Sequence, residues 1–173
     1  VRTAPEQGHH RFNWISPPEG VIKINVDAGI STYLNVGTAA AVCRDRDGNY
    51  LGSSMLVIHG MIDPPTLEAI ACREGLSLAQ DLGMSHLQVA SDCKQVVHHI
   101  HQRVGGDYNI IVREILDTSI SFVSCNFSFE PRAANYEDHR LARFGVSLPA
   151  RRHLWLGTPN DPIVVPGNLF ANQ

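Results

Sequence analysis

Apolar and polar positions alternate from Ile22 to Asp27: Ile22, Ile24 and Val26 share one side, and Lys23, Asn25 and Asp27 share the other. A period of two predicts a strand. Asn and Asp are depleted in strands, so Asn25 and Asp27 within the pattern have two readings. Either this is an edge strand with a solvated face, or Asp27 is a carboxylate held for chemistry. A second strand is predicted over Val36 to Cys43, small and apolar, and a third over Tyr50 to Ile58. The Asp47-Gly48 pair between them is a hairpin signal. The first three strands are therefore expected to form an antiparallel meander.

The period then changes. Asp63-Pro64 is a helix start with an N-cap acid and Pro at the first helical position, and the helix is expected to run to about Leu82 and stop at Gly83. Leu67, Ile70, Ala71, Leu78 and Leu82 make up most of its apolar face. A stripe of small residues (Cys72, Gly75, Ala79) continues the line of Glu68 and would hold that acid close to a sheet. His86 to Ser91 reads as a fourth strand, parallel to the first. Asp92 begins a helix carrying Val96, Val97 and Ile100. Another helix is predicted over Asn109 to Ile120, with Ile110, Ile111, Ile115 and Leu116. A fifth strand covers Val123 to Phe129, and a last helix Ala134 to Val146. Residues 1–13 read as a linker or tail and 14–148 as one domain. Residues 149–173 read as a Pro-rich tail, irregular and packed by Trp155, Ile163 and Leu169.

Composition narrows the class. The 173 residues are 43% apolar, enough for one core. The net charge of -3 argues against salt-driven, non-specific DNA binding. The four cysteines, Cys43, Cys72, Cys93 and Cys125, lack zinc-site spacing and sit in apolar patterns. They are expected to be buried thiols of a reducing, intracellular compartment, nucleus or cytoplasm. No apolar run is long enough to span a bilayer, so no membrane is expected. Val1 at the start points to a piece excised from something longer. His9-His10 carries no metal-site argument. His98, His99 and His101 lack the i, i+4 spacing of a two-His metal face and read as a solvated surface.

Three acids fall where this topology converges: Asp27 on the first strand, Glu68 near the start of the first long helix and Asp92 at the end of the fourth strand. Close carboxylates raise each other's pKa unless cations neutralise them. An all-oxygen cluster suits Mg²⁺ or Mn²⁺, and two such ions roughly 3.5–4 Å apart serve phosphodiester cleavage. Taken singly, Asp92 has the alternative of a helix N-cap, and Glu68 that of a first-turn acid favoured by the helix dipole.

A wider set of residues carries a resemblance: Trp14 with Pro17-Pro18, Gly20, Lys23, Asn25-Val26-Asp27-Ala28, Arg44-Asp45 with Gly48, Glu68-Ala69, Gly75-Leu76, Ala79, Gly83, Ser91-Asp92-Cys93, Arg132, Asn135 and Leu141-Ala142, with Trp155 and Pro162-Ile163 as a looser match. On these the chain resembles the ribonuclease H family, in particular the plant ribonuclease H-like domains of retroelement-derived and stand-alone proteins. The resemblance implies an α/β (α+β) fold with a five-stranded mixed sheet flanked by helices. It also implies metal-dependent cleavage of the RNA strand of RNA–DNA hybrids by Asp27, Glu68 and Asp92, with two Mg²⁺ or Mn²⁺ ions. Asn25, Ala28, Lys94 and Asn135 are candidate substrate contacts.

One position departs from the family. Active members carry a fourth acid on the last helix, where this chain has His139. Asn135 and His139 share a helix face; Asp138 is rotated by roughly 100°. His139 is the expected fourth ligand, a poorer one for a hard ion, with Asp138 the alternative or else a plain surface acid. The family's basic hybrid-gripping loop is also missing, since Gln102 to Asn109 offers only Arg103. Arg44, Arg46 and Lys94 could touch phosphates, but each reads first as an ordinary surface charge. The rival reading is a domesticated, inactive fold that binds a protein or nucleic acid. The chain is expected to be a monomer.

Overall fold

The computed structural model describes residues 13–161 and 164–170. The proposed tail over residues 1–13, His9-His10 included, falls almost wholly outside them, as do Pro162 and Ile163. The elements run β1 (Ile22–Ser31), β2 (Val36–Arg44), β3 (Tyr50–His59), α1 (Pro64–Asp81), β4 (His86–Ser91), α2 (Lys94–Gln102), α3 (Asn109–Ser119), β5 (Ser124–Phe129), α4 (Tyr136–Gly145) and β6 (Arg152–Leu156). The sheet order is β5-β4-β1-β2-β3-β6. β1, β2 and β3 pair antiparallel, β4 is parallel to β1 and β5 parallel to β4.

The sheet has six strands rather than five, because β6 in the expected irregular tail pairs antiparallel with β3. Its five residues between Arg151 and Gly157 are too short for a pattern of period two to stand out. The last helix is also shorter than expected, since a 3₁₀ turn over Arg132–Ala134 precedes α4. The Asp63 side chain caps α1 by accepting from Thr66 N, and Gly83 takes the left-handed conformation after its end.

β1 is not an edge strand. It lies between β2 and β4, and its polar side is covered by α4: Lys23, Asn25 and Asp27 are all buried. A buried polar group must find a partner. Lys23 pairs with Glu130, Asn25 bonds Trp14 and Asn135, and Asp27 bonds His139. The apolar side of β1 meets α1, and α2 and α3 complete the same core layer of Ile24, Val26, Leu67, Leu76, Leu87, Val89, Val96 and Ile115. The thinner layer under α4 holds Val36, Ala40, Val42, Met55, Leu141 and Ala142.

Two glycines set these approaches. A Cβ on Gly75 would lie 3.0 Å from Val26 Cγ1 and 3.2 Å from Ile24 Cγ2, so α1 rides directly on β1. A Cβ on Gly145 would lie 1.8 Å from Met55 Sδ, which holds α4 equally close on the other side.

Near the sheet's edges the pattern misleads. Ile110 at the start of α3 is exposed, and Val112 and Ile115 carry that helix's contact instead. Val123 precedes β5 and is exposed; of that edge strand only Phe127 is buried. Cys43 and Cys72 are buried, whereas Cys93 and Cys125 are half-buried; all four thiols are free.

Asp138 shows the cost of the crowded α4 side. It is not a surface acid: it is 0% exposed, and neither carboxylate oxygen has a hydrogen-bond partner. Burial first, then Glu137 and Asp27, push its pKa well up. Its place in the first turn of α4 contributes at most about 1 kcal/mol through the helix dipole, less than the roughly 1–3 kcal/mol cost of an unsatisfied buried polar group. Asp138→Ala is therefore expected to stabilise the fold by about 1–2 kcal/mol in urea denaturation. The group's folded pKa lies above its unfolded value, so the cost grows as pH rises from about 4. The gain should be larger at pH 8 than at pH 5; a variant less stable than wild type at both values would show that Asp138 has a satisfied role.

Candidate functional site

The site forms where register and helix placement coincide. Val26 pairs with Ser91 across the parallel β1–β4 ladder. The next residues, Asp27 and Asp92, therefore emerge beside each other as the two strands end their pairing. Glu68 stands two turns before Gly75 on α1, and so over the residues that follow Val26. Its Oε1 accepts from Ala28 N at 3.3 Å, and its Oε2 faces Ser91 Oγ at 3.5 Å. One carboxylate oxygen from each of Asp27, Glu68 and Asp92 lies within 4.8 Å of the other two.

Asp92 is not spent as a helix cap. Cys93 is the N-cap residue of α2, and Cys93 N donates instead to Ser91 Oγ at 3.1 Å. Glu68 lies above the first turn's capping contacts, which Asp63 supplies. Asp92 thus precedes the N-cap of α2 and Glu68 lies beyond the first turn of α1, so neither acid holds a capping position.

Burial and mutual repulsion act on the cluster. Glu68 is pushed well above the usual carboxylate range, first by burial and then by Asp27 and Asp92, with the Ala28 N–H pulling the other way. Asp92 is raised by burial and Asp27, and opposed by Arg132 and His139. Three oxygen donors that repel each other at this spacing fit a hard divalent cation, whose charge would relieve the repulsion. These acids would hold it. The thiols offer no rival chemistry: burial pushes Cys43 up to about 12 and Cys125 up to about 11.

His139 lies at the edge of this group. Its Nδ1 is 2.9 Å from Asp27 Oδ2, and its Nε2 is 2.6 Å from Arg132 Nη2. The same Arg132 Nη2 is also 3.0 Å from Nδ1; a guanidinium only donates, so it is a His139 ring nitrogen that accepts from it. Asp138 is not in the acid group and lies buried one residue away.

Asn25 and Asn135 are inside the protein rather than on its surface. Asn25 Nδ2 donates to Asn135 Oδ1 at 2.6 Å, and Asn135 Nδ2 donates to Val26 O at 2.7 Å. Together they tie the start of α4 to the strand that carries Asp27. Trp14 Nε1 continues the string to Asn25 Oδ1 at 3.1 Å. Ala28 presents its N–H to Glu68, and Lys94 is exposed at the start of α2. His99 and His101 are not free in solvent: they bond the Tyr108 hydroxyl and Phe127 O. Sequence reasoning missed the pairing of Lys23 with Glu130 and of Arg44 with Glu137. A lysine and an arginine at the ends of neighbouring buried strands were the available signal.

A family described as reverse transcriptase-like matches residues 25–145, a span that holds every residue of the site. The chain belongs to the reverse transcriptase-like family. Its fold is ribonuclease H-like, as the solved structures show. RNase H1 from the halophilic archaeon Halobacterium salinarum NRC-1 superposes with a TM-score of 0.65 at 17% identity, covering 73% of this chain and 97% of that one. The N-terminal RNase H domain of rv2228c from Mycobacterium tuberculosis gives 0.64 at 22% identity, covering 73% and 96%. LC11-RNase H1, isolated from compost by a metagenomic approach and solved with an RNA/DNA hybrid, gives 0.58 at 21% identity, covering 66% and 88%. No curated protein matches the chain. Within this reverse transcriptase-like domain the α4 side of the site holds His139, with Arg132 beside it.

The cluster predicts a linked pH and metal response. The raised pKa values of Glu68 and Asp92 mean that, without metal, stability is lost as pH rises from about 4 through their folded values. A cation binds the ionised acids and so opposes that loss. The rise in Tm on adding Mn²⁺ is expected to be larger at pH 8 than at pH 5. A Tm unmoved by Mn²⁺ at pH 8 would count against a working metal site.

Proposed function

We propose that this chain is a divalent-cation-dependent nuclease that hydrolyses the RNA strand of RNA–DNA hybrids. The observation that carries the reading is the three-acid group of Asp27, Glu68 and Asp92, drawn from β1, α1 and the end of β4 within 4.8 Å. Family membership and the hybrid-bound LC11-RNase H1 neighbour support the substrate class. When bound, Mg²⁺ or Mn²⁺ supplies Lewis acidity toward the phosphodiester and its attacking water.

The chain's own residues prepare the site. The Ala28 N–H orients Glu68, and Ser91 Oγ stands against its other oxygen. Asn135 fixes α4 to β1, so that His139 reaches Asp27 and keeps that carboxylate oriented. A second ion would have to draw on Asp27 with His139 as an added ligand. The spaced match from Trp14 to Leu141-Ala142 supports a place among plant retroelement-derived domains. The four free thiols support an intracellular, reducing location in nucleus or cytoplasm.

A second reading is favoured by one observation: His139, engaged by Asp27 and by Arg132, stands in the position where active relatives are expected to have a carboxylate. On that reading the domain binds a nucleic acid or protein without cutting. A labelled RNA–DNA hybrid incubated with Mn²⁺, with and without a chelator, separates the two. Chelator-sensitive cleavage by wild type that is lost in Asp92→Asn is the expected result. An intact hybrid with wild type would leave the binding module.

A further inference from the structure

Three side chains at the rim of the acid group have chemistry that the group does not use. Phe129 ends β5, paired with Ser91 and 40% exposed. The next residue, Glu130, turns inward to Lys23, and its N–H bonds Ser91 O at 3.0 Å. That anchor pins the strand end beside Asp92 and leaves Phe129 on the surface. Lys94, two residues past Asp92 at the start of α2, holds Nζ 4.8 Å from the centre of the Phe129 ring. Arg132 opens the turn into α4 and reaches His139. Its charge acts on Asp92. Among the described residues neither Lys94 nor Arg132 forms an ion pair with an acid, whereas Lys23, Arg44, Arg46, Arg73 and Arg152 all do.

An exposed aromatic ring with cations nearby that are not neutralised by acids is how proteins grip a nucleic-acid backbone: phosphates pair with the cations and a base or sugar packs on the ring. Here that arrangement borders the acids in a chain of net charge -3 whose α2–α3 connection carries only Arg103. The Arg132 charge, which acts on Asp92, also offsets part of the repulsion that bare acids would exert on incoming phosphate.

We propose that Lys94, Phe129 and Arg132 form the substrate grip of this domain, with Lys94 and Arg132 each holding a phosphate beside the acids and Phe129 packing against a nucleotide. The substrate class rests on the nuclease reading above; the grip itself is tested without cleavage.

The test is fluorescence-anisotropy binding of the full chain to an RNA–DNA hybrid, in Ca²⁺ to block turnover, at a series of salt concentrations. Each phosphate contact contributes roughly 0.7–0.9 to the slope of log K against log salt. Lys94→Ala and Arg132→Ala should each weaken binding and reduce the slope by that amount, and the double variant by about twice as much. Arg132→Lys should retain the slope even where it disturbs His139. Phe129→Ala should weaken binding roughly tenfold with the slope unchanged, and Phe129→Leu, which keeps apolar contact with α2, should show the same loss. An unchanged slope in the double variant, or no hybrid binding by wild type, overturns the grip. Expected slopes without Mn²⁺-dependent cleavage keep the grip and remove the nuclease; cleavage with unchanged slopes does the reverse.

Discussion

Asp27→Asn is expected to abolish hybrid cleavage and at the same time to raise the stability of the metal-free protein. Asp27 is the acid that raises both Glu68 and Asp92. Removing its charge relieves two repulsions, while the isosteric amide still bonds His139 Nδ1. A gain of about 1 kcal/mol, or roughly 2–4 °C in Tm for a chain of this size, should follow. The same change removes one of three anionic ligands. The Mn²⁺-induced Tm rise should disappear, and with it several kcal/mol of transition-state stabilisation, so cleavage should fall by roughly 10³-fold. The two arms move in opposite directions, the pattern of a site that gives up stability for function. If the metal-free variant melted below wild type, Asp27 would be a structural residue. If cleavage stayed within tenfold, the metal would not depend on it.

The second large effect lies away from the acids. Arg44, at the end of β2, is 1% exposed. Its Nε and Nη2 donate to the two Glu137 oxygens at 2.8 and 2.7 Å, and its Nη1 and Nη2 donate to Gly48 O at 3.0 Å and Pro166 O at 2.5 Å. This one guanidinium joins the β2–β3 turn, the first turn of α4 and the C-terminal segment. Tyr50 N bonding Gly167 O, and Asn168 Nδ2 bonding Asn49 Oδ1, fasten that segment to the same turn.

Arg44→Met leaves Glu137 buried and unpaired, along with freed carbonyls. Breaking a buried pair from one side costs roughly 3–5 kcal/mol, a large part of a typical 5–15 kcal/mol total. Urea denaturation should show that loss. Arg44→Met combined with Glu137→Leu should recover most of it, because two apolar side chains replace both charges. A single variant within 1 kcal/mol of wild type would mean that water or another group satisfies Glu137. Since α4 also carries His139, the single variant should bind Mn²⁺ more weakly as well.

Much of the site is legible in the sequence. The alternation around Asp27, the small stripe behind Glu68 and the β-α-β order that makes β4 parallel to β1 are local or topological signals, and each was observed. The acids could be named because their elements are long and strongly patterned. What was misread lies at edges and across long separations. β6 is short and owes its existence to β3. Ile110 and Val123 look like core by type, yet they fall where an edge strand and a helix end offer no second layer. Asp138 looks like a surface acid by type, and the fold buries it.

The sequence by itself determined the first five strands, the meander, the α/β crossover and the convergence of the three acids, because hydrophobic period and chain order act locally and restrict topology. Only the tertiary structure decided that β1 has no wet face. It also decided that Lys23, Arg44, Asn25 and Asp27 are each answered by a residue about a hundred positions away, and that His139 meets both Asp27 and Arg132. A buried polar group's partner is set by which elements meet in space, and neither period nor spacing along the chain encodes that meeting.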